Sequence, residues 1–391
     1  MSKVKITGDA SGTGVFTIAA PGTNNPRTIT LPDSTGTLLT SDGDGSSLTG
    51  VGVGKNIIIN GGMRISQRNG TSVGTADGDS YKGLDRFKTR TYGGTGRYSV
   101  QQLSNDPVDQ FNYCQKLIVT TPDTGTAYSY ALAYIPEGYD VEHLLWGTTS
   151  SKTVTMSFWV KSSLTGTYCV SFRSQNADRS YVVEYTISSA NTWEKKTMTL
   201  TGPTNGGTFP KNNTAGMLIE WCLNQFGGRT NTANTWHSAN ILSTTNQTNW
   251  IATNGATFFL TGVQLEVGST ATDYEHKSYG EELRDCQRYY EKVTTGSSGA
   301  PDSTASFVTM FQWGVVKRVT PGITQDGVLT VTNYGVYDRT QSAINVSING
   351  SGRIDTMGAQ LRFANFTSLT MDTSHGININ NTFHLKVDAE I

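Results

Sequence analysis

At 391 residues the chain exceeds the usual single-domain size, so two or three domains are expected. A formal net charge of −1, with only 16% of residues charged, argues against a nucleic-acid partner or an anionic membrane surface. No run of about eighteen apolar residues occurs, so no membrane insertion is expected, and the opening MSKVKITGDA lacks the apolar core of a secretion signal.

Residues 1–54 read as a separate β-rich segment. KVKIT, GVFTI and RTITL alternate like short strands, punctuated by Pro21-Gly22, Pro32-Asp33 and Ser41-Asp42-Gly43. One copy carries too few apolar residues for a core of its own, whereas three intertwined copies could bury what one cannot. GDGSSLTGVGVG (43–54) reads as a flexible linker. GVGVGK (50–55) has the glycine content of a nucleotide loop, but it follows a linker and opens the apolar run NIIIN, so it is read as linker.

Residues 55–277 read as one jelly-roll β-sandwich. Alternating segments recur at 56–60, 116–121, 127–134, 154–160, 168–172, 181–187, 195–200, 217–223 and 258–267, with Gly/Asn/Asp/Ser turns between them and no helical periodicity. The last is the longest. Alternation puts Phe259, Thr261, Val263, Leu265 and Val267 on one face, and Gly262 suggests a bulge or the close approach of another backbone. The stretch 230–255 is long, neutral and unpatterned, which in a compact domain marks a functional loop or one ordered by its neighbours.

A connecting helix is expected over 278–293. Ser278 and Glu281 have capping-box spacing, and Leu283, Cys286 and Tyr290 fall on one helical face. About twelve helical residues are marginal alone in water, so the helix must dock. Residues 294–391 open on a Gly/Ser/Pro linker, TTGSSGAPDST. Strands are expected at 306–313, 328–332, 343–348, 360–364 and 383–391, giving a second, smaller C-terminal β-sandwich. The fold class is therefore all-β with one short helix.

The block GVQLEVGSTATDYEHKSYGEELRDCQRYYE (262–291) resembles a signature of bacteriophage tail-fibre proteins, best known from phages of marine and freshwater bacteria. KNIIINGGMRISQRNGTS (55–72), LDRF (84–87), SFWVKSS (157–163), WEKKTMTLT (193–201) and VKRVTPGIT (316–324) resemble further parts of that family. FTIAAPGTNNPRTITLPDSTGTLL in the first segment is similar to a stretch found in many phage fibre and tail proteins. The resemblance implies a virion protein, commonly a homotrimer, with jelly-roll modules similar to carbohydrate-binding domains. It also implies that 1–54 is the attachment and trimerisation base, meeting other tail or adaptor proteins.

Little points to catalysis. His143, His237, His276, His375 and His384 do not pair at ligand spacing, and no CxxC occurs, so no zinc site is expected. Cys114, Cys169, Cys222 and Cys286 sit in apolar contexts and read as buried free thiols. No cofactor is expected, although Asp77-Gly78-Asp79 and Asp42-Gly43-Asp44 place oxygen ligands on turns and leave a structural calcium open. Glycoside cleavage needs two carboxyl groups about 5–10 Å apart. The strand carboxylates Glu184 and Glu220 alternate against apolar neighbours and are expected to face solvent or a groove.

Sugar binding is the positive signal, because sugars offer C–H faces to aromatic rings and hydroxyls to amides. Trp236 and Trp250 lie in the unpatterned loop with Asn234, Asn240, Gln247 and Asn249, and Trp146 lies near Tyr139 in another loop. Trp236, Trp250, Asn234, Asn249, Trp146 and Tyr139 are the candidate ligand-binding residues. Trp159, Trp193 and Trp221 sit in strand patterns and are expected in the core, and His375 with Asn378, Asn380 and Asn381 is a weaker candidate. The expected function is a non-enzymatic, trimeric virion fibre that attaches to host surface polysaccharide. The alternatives are a purely structural tail, neck or head-attached protein, or a polysaccharide depolymerase.

Overall fold

A computed structural model describes residues 56–391, apart from 107, 294–297, 304, 327–329, 334–336, 341–345, 349–353, 365–374 and 379–383. The expected base at 1–54, the Asp42-Gly43-Asp44 turn, Asn380 and Asn381 lie outside the described residues, as do the side chains of His375 and Asn378.

The first sandwich is built from strands β1 (Gly74–Ala76), β2 (Phe87–Tyr92), β3 (Arg97–Leu103), β4 (Cys114–Thr121), β5 (Ser129–Tyr134), β6 (Thr153–Ser162), β7 (Gly166–Arg173), β8 (Ser180–Ile187), β9 (Glu194–Thr201), β10 (Leu218–Cys222), β11 (Trp236–His237) and β12 (Thr257–Val267). They form two six-stranded sheets, ordered β1-β3-β4-β12-β6-β9 and β11-β8-β7-β10-β5-β2. Neighbours in both sheets are antiparallel. The jelly-roll-like, all-β class read from the strand spacing is the class observed.

The core lies between the sheets. Leu117, Met156, Phe158, Val160, Phe258 and Leu260 of the first sheet meet Leu132, Tyr134, Tyr168, Phe172, Tyr185 and Trp221 of the second. Phe158 stands edge-on to both Tyr185 and Trp221, with ring centroids 5.3 and 5.9 Å apart, an arrangement aromatic quadrupoles favour. Gly262 is a bulge residue. Its φ is +61°, and the register of β12 against β6 shifts between Thr261 and Gln264. The extra residue changes the phase of alternation. Phe258 and Leu260 therefore join Val263 and Leu265 in the core, and Phe259 turns outward onto Trp193, 6.0 Å away. Unbroken alternation had grouped Phe259 with Val263. Of the three tryptophans expected in the core only Trp221 is there; Trp159 and Trp193 are half-buried.

The expected strand at 56–60 is not one. Asn60 and Met63 adopt positive φ, and the segment turns beside β12 through Ile57 N to Leu265 O at 2.9 Å and Val263 N to Gly61 O at 3.0 Å.

The helix, α1 (Tyr279–Gln287), starts as its sequence dictates. The Glu281 amide donates to the Ser278 hydroxyl at 3.3 Å, and the Ser278 amide donates to the Glu281 carboxylate at 3.0 Å. It ends earlier than the expected 293. Tyr290–Val293 instead forms strand β13, because these residues pair with the chain's last strand.

The remaining strands are β14 (Ser298–Ser303), β15 (Ser306–Gln312), β16 (Gly322–Asp326), β17 (Thr330–Asn333), β18 (Tyr337–Thr340), β19 (Val346–Ile348), β20 (Gly358–Ala364), β21 (His375–Asn378) and β22 (His384–Asp388). A three-stranded sheet, β13-β22-β16, and a seven-stranded sheet, β18-β17-β21-β14-β15-β20-β19, share a core of Val293, Leu385 and Val387 with Phe311, Leu361 and Phe363. This is the smaller C-terminal sandwich. Part of the expected linker, 298–303, is its strand β14.

The described residues belong to one compact unit. The junction of the two sandwiches is charged and directional. Arg86, fully buried, donates to Glu390 and to Ile135 O at 2.6 Å, and its guanidinium stacks 3.4 Å from the Tyr289 ring centroid. Arg318 donates to Ala389 O and Glu390 O, both at 2.8 Å, and Arg68 pairs with Asp388 at 3.0 Å.

Candidate functional site: a groove between the sandwich edges

A sandwich leaves a lateral opening where the edge strands of its two sheets meet. Here those edges are β9 and the two-residue β11. β11 pairs with β8 so that Trp236 opposes Tyr181, their ring centroids 5.2 Å apart. The Trp236 indole N–H donates to Thr201 O of the other sheet at 2.8 Å, bridging the gap. Trp146 stands behind it, edge-on at 5.5 Å, fixed by its own indole N–H to Lys152 O at 2.9 Å and by Phe209 at 5.7 Å.

The result is an open groove of 540 Å³, floored by Tyr181 and Trp236 and walled by Thr199, Thr201, Asn234 and Arg179. Arg179 is the one charged residue among its lining residues. Its guanidinium donates to Ser238 Oγ at 2.6 Å and Asn205 Oδ1 at 2.7 Å, which holds the positive charge in place without neutralising it. Asn234 sits at φ +60°, a conformation asparagine tolerates, with its amide bonded to Val182 O at 2.8 Å and its side chain exposed.

The structure therefore brings together Trp236 and Asn234, with buried Trp146 as support beneath them. It separates the others. Trp250, expected at a ligand, is a core residue with no exposed surface; it packs edge-on to Tyr98 at 6.0 Å and Phe258 at 6.4 Å. Contact with Phe258 at the start of β12 and with Tyr98 places its ring in the core cluster. Asn249 and Tyr139 do not line the groove, although Tyr139 is exposed. Arg179, Tyr181 and the 199–204 segment were not singled out from the sequence. Alternation gave Tyr181 the parity of the core residues Val183 and Tyr185, and only its place at a strand end marks it as a rim residue.

The outer face of the second sheet also departs from expectation. Glu220 is buried, not solvent- or groove-facing, because residues 224–248 strap across it. Phe226, Ile241 and Leu242 of the strap pack on Cys169, Val182 and Cys222 of the sheet. Beside them Glu220 is gripped by Arg90 at 2.8 Å and by Arg173. Burial alone would raise its carboxyl, but the two guanidiniums outweigh it and hold Glu220 below the usual carboxylate range. Glu184 accepts from Thr244 Oγ1 and from Asn246 Nδ2 at 3.1 Å.

Among the described residues no group of three His, Cys, Asp or Glu is arranged to hold a metal. In the Asp77-Gly78-Asp79 turn, Asp77 lies 3.7 Å from Lys82 Nζ and Asp79 lies 3.1 Å from Arg90 Nε. All four cysteines are buried and unpaired.

No protein-family model and no curated protein matches the chain. Solved structures with a similar layout include the enzymatically active domain of tailspike protein 4 of bacteriophage CBA120, at 15% identity over 55% of this chain and 22% of that one, TM-score 0.27. Another is a family 11 carbohydrate-binding module of a cellulosomal cellulase from Clostridium thermocellum, at 13% identity over 50% of this chain and 95% of that one, TM-score 0.26. A third is a putative sugar-binding protein from Bacteroides thetaiotaomicron, at 8% identity over 55% of this chain and 100% of that one, TM-score 0.30. The chain thus spans about a fifth of the tailspike domain it matches.

Proposed function

We propose that this chain is a non-enzymatic fibre protein of a phage particle, and that it holds a surface polysaccharide of the host in the Trp236 groove. The observation that carries the reading is the pairing of an aromatic floor, Trp236 on Tyr181, with amide, hydroxyl and guanidinium walls in a groove open enough to admit a chain of sugars. Arg179 without an acidic neighbour in the lining favours an anionic polysaccharide. The non-enzymatic part rests on the carboxylates: Glu220 is neutralised under the strap, and Glu184 is committed to Thr244 and Asn246.

The virion location, the homotrimer and attachment to tail or adaptor proteins through 1–54 rest on the sequence resemblance and on the sparse apolar content of that segment. Three copies would supply avidity, so each groove can be weak. A purely structural fibre is the second reading; the satisfied Trp236 indole N–H and its packing on Trp146 favour it.

The deciding experiment is binding of the full chain to host polysaccharide and to an array of neutral and acidic glycans, with Trp236→Ala alongside. A melting temperature lowered by no more than about 4 °C with binding about tenfold weaker, equivalent to about 1.4 kcal/mol, supports a sugar platform. Unchanged binding, or no binding by the wild type, refutes it and leaves the structural fibre. Sugar release on prolonged incubation would overturn the non-enzymatic assignment, and a monomeric mass in solution would overturn the trimer.

A further inference from the structure

A second cavity, of 190 Å³, shares no lining residue with the Trp236 groove. It is assembled from the β12 bulge, the 108–113 turn and the crossing between β12 and α1. Glycine makes it possible. A Cβ at Gly262, already at φ +61°, would meet the Phe111 ring at 2.6 Å, and one at Gly62 would meet the Tyr274 hydroxyl at 3.3 Å. With both absent, three rings close together: Phe111 and Tyr274 at 4.8 Å, Phe111 and His276 at 5.9 Å, Tyr274 and His276 at 4.9 Å.

Two opposed charges line the same cavity. Glu282 is buried on the first turn of α1, and one of its oxygens accepts the Asn60 amide. Arg64 donates to Lys277 O at 3.2 Å. Among the described residues no carboxylate lies within ion-pair distance of Arg64, and the neighbouring Lys277 is taken by Asp285 at 2.9 Å. The Arg64 guanidinium, which also lies 5.6 Å from the Tyr279 ring centroid, therefore lines the same space as a buried carboxylate and a cluster of rings without a carboxylate partner of its own.

We propose that this cavity binds one neutral sugar residue. Glu282 accepts its hydroxyls, Arg64 donates to an oxygen across the ring, and Phe111, Tyr274 and His276 take its C–H face. An apolar ligand would strip water from the remaining polar atoms of Glu282 and Arg64 without replacing its hydrogen bonds, which is costly. An anion would meet Glu282 and a cation would meet Arg64, so a neutral ligand rich in both donors and acceptors suits the walls best. At 190 Å³ the cavity has room for one ring and not for a chain. The site is independent of the groove, and its occupant differs: a single terminal or branch sugar.

The test titrates the full chain with methyl glycosides of glucose, galactose, mannose and N-acetylglucosamine, and separately with glycine and acetate, by saturation-transfer NMR and calorimetry. At least one glycoside should saturate in the millimolar range. Binding should weaken tenfold or more in His276→Ala, an exposed position that tolerates truncation, and in Arg64→Ala. Glu282→Gln, which keeps an acceptor for Asn60, should weaken it as well. No saturable glycoside, glycoside binding indifferent to His276→Ala and Arg64→Ala, or binding of glycine or acetate in place of the glycosides would each overturn the proposal. So would loss of monosaccharide binding in Trp236→Ala, since that would locate it in the groove.

Discussion

The two faces of the second sheet are both buried, yet they are held by different forces. The inner face is dry and aromatic, with Tyr168, Phe172, Tyr185 and Trp221 meshed against the first sheet. The outer face lies under a strap and mixes an apolar patch, Cys169, Val182 and Cys222, with the buried ions Glu220 and Arg173 and the half-buried Arg90. Strand alternation separates the faces, but it does not say what will cover them. A face that reads as polar becomes an ionic interior once a neutral loop closes over it, and its stability then depends on each charge keeping its partner.

The largest expected effect is on the inner face. Trp221 is fully buried, with ring centroids 6.3 Å from Phe87 and 5.9 Å from Phe158. Trp221→Ala should cost about 3–5 kcal/mol in denaturant unfolding, by loss of burial and the cavity left behind. A cost under about 1 kcal/mol would mean that this face is not the main core. On the outer face, Glu220→Ala should cost about 3 kcal/mol, because it strands the buried Arg173 without a counter-charge and leaves Arg90 with Asp79 alone. If instead the variant is as stable as the wild type, the strap face is wet and the comparison fails.

Proton linkage sharpens the contrast. Glu220 has a lowered pKa in the fold, so its contribution is fully present above the ordinary glutamate pKa and is lost as pH falls below it. Asp85 is also buried, but its carboxylate is held by neutral donors, the Gln67 amide at 3.0 Å and Gln67 Nε2 at 2.6 Å. Burial pushes it up to about 6, against the opposing pull of Arg68. The sign is therefore reversed: the proton is bound more tightly in the fold, and stability declines as pH rises from about 4 through about 6. The decline is up to about 3 kcal/mol for a shift near two units. Comparing wild type with Asp85→Asn across pH 4–7 isolates this step; parallel curves would show that Asp85 is not desolvated.

Much of this architecture was legible in the sequence. Strands β4 to β10 and β12 announce themselves by alternation, the bulge by Gly262, and the helix start by Ser278 and Glu281. What was not legible depended on contacts distant in sequence. Tyr290–Val293 carries a pattern that suits a helix or a strand, and pairing with β22, nearly a hundred residues on, decides it. Trp236 and Trp250 sit in the same unpatterned stretch with similar neighbours. One caps the carbonyl of Thr201 at the rim and the other is swallowed by the core. Arg179 and Tyr181 acquire their place only because β11, two residues long, pairs with β8 at all.

The smallest expected effect tests the rim where both faces end. Trp236 is half-buried and Trp146 behind it is almost wholly so. Trp236→Ala should therefore cost only about 1 kcal/mol, from one hydrogen bond and part of an aromatic contact. Trp146→Ala should cost about 3 kcal/mol by opening a cavity. The ratio carries the information, since a sugar platform needs a rigid ring on a rigid support. If the two substitutions cost the same, the Trp236 ring belongs to the interior, and its exposed face has no area to offer a ligand. If Trp236→Ala is nearly silent in stability while polysaccharide binding weakens about tenfold, the ring's function is at the surface and Trp146 is its anchor.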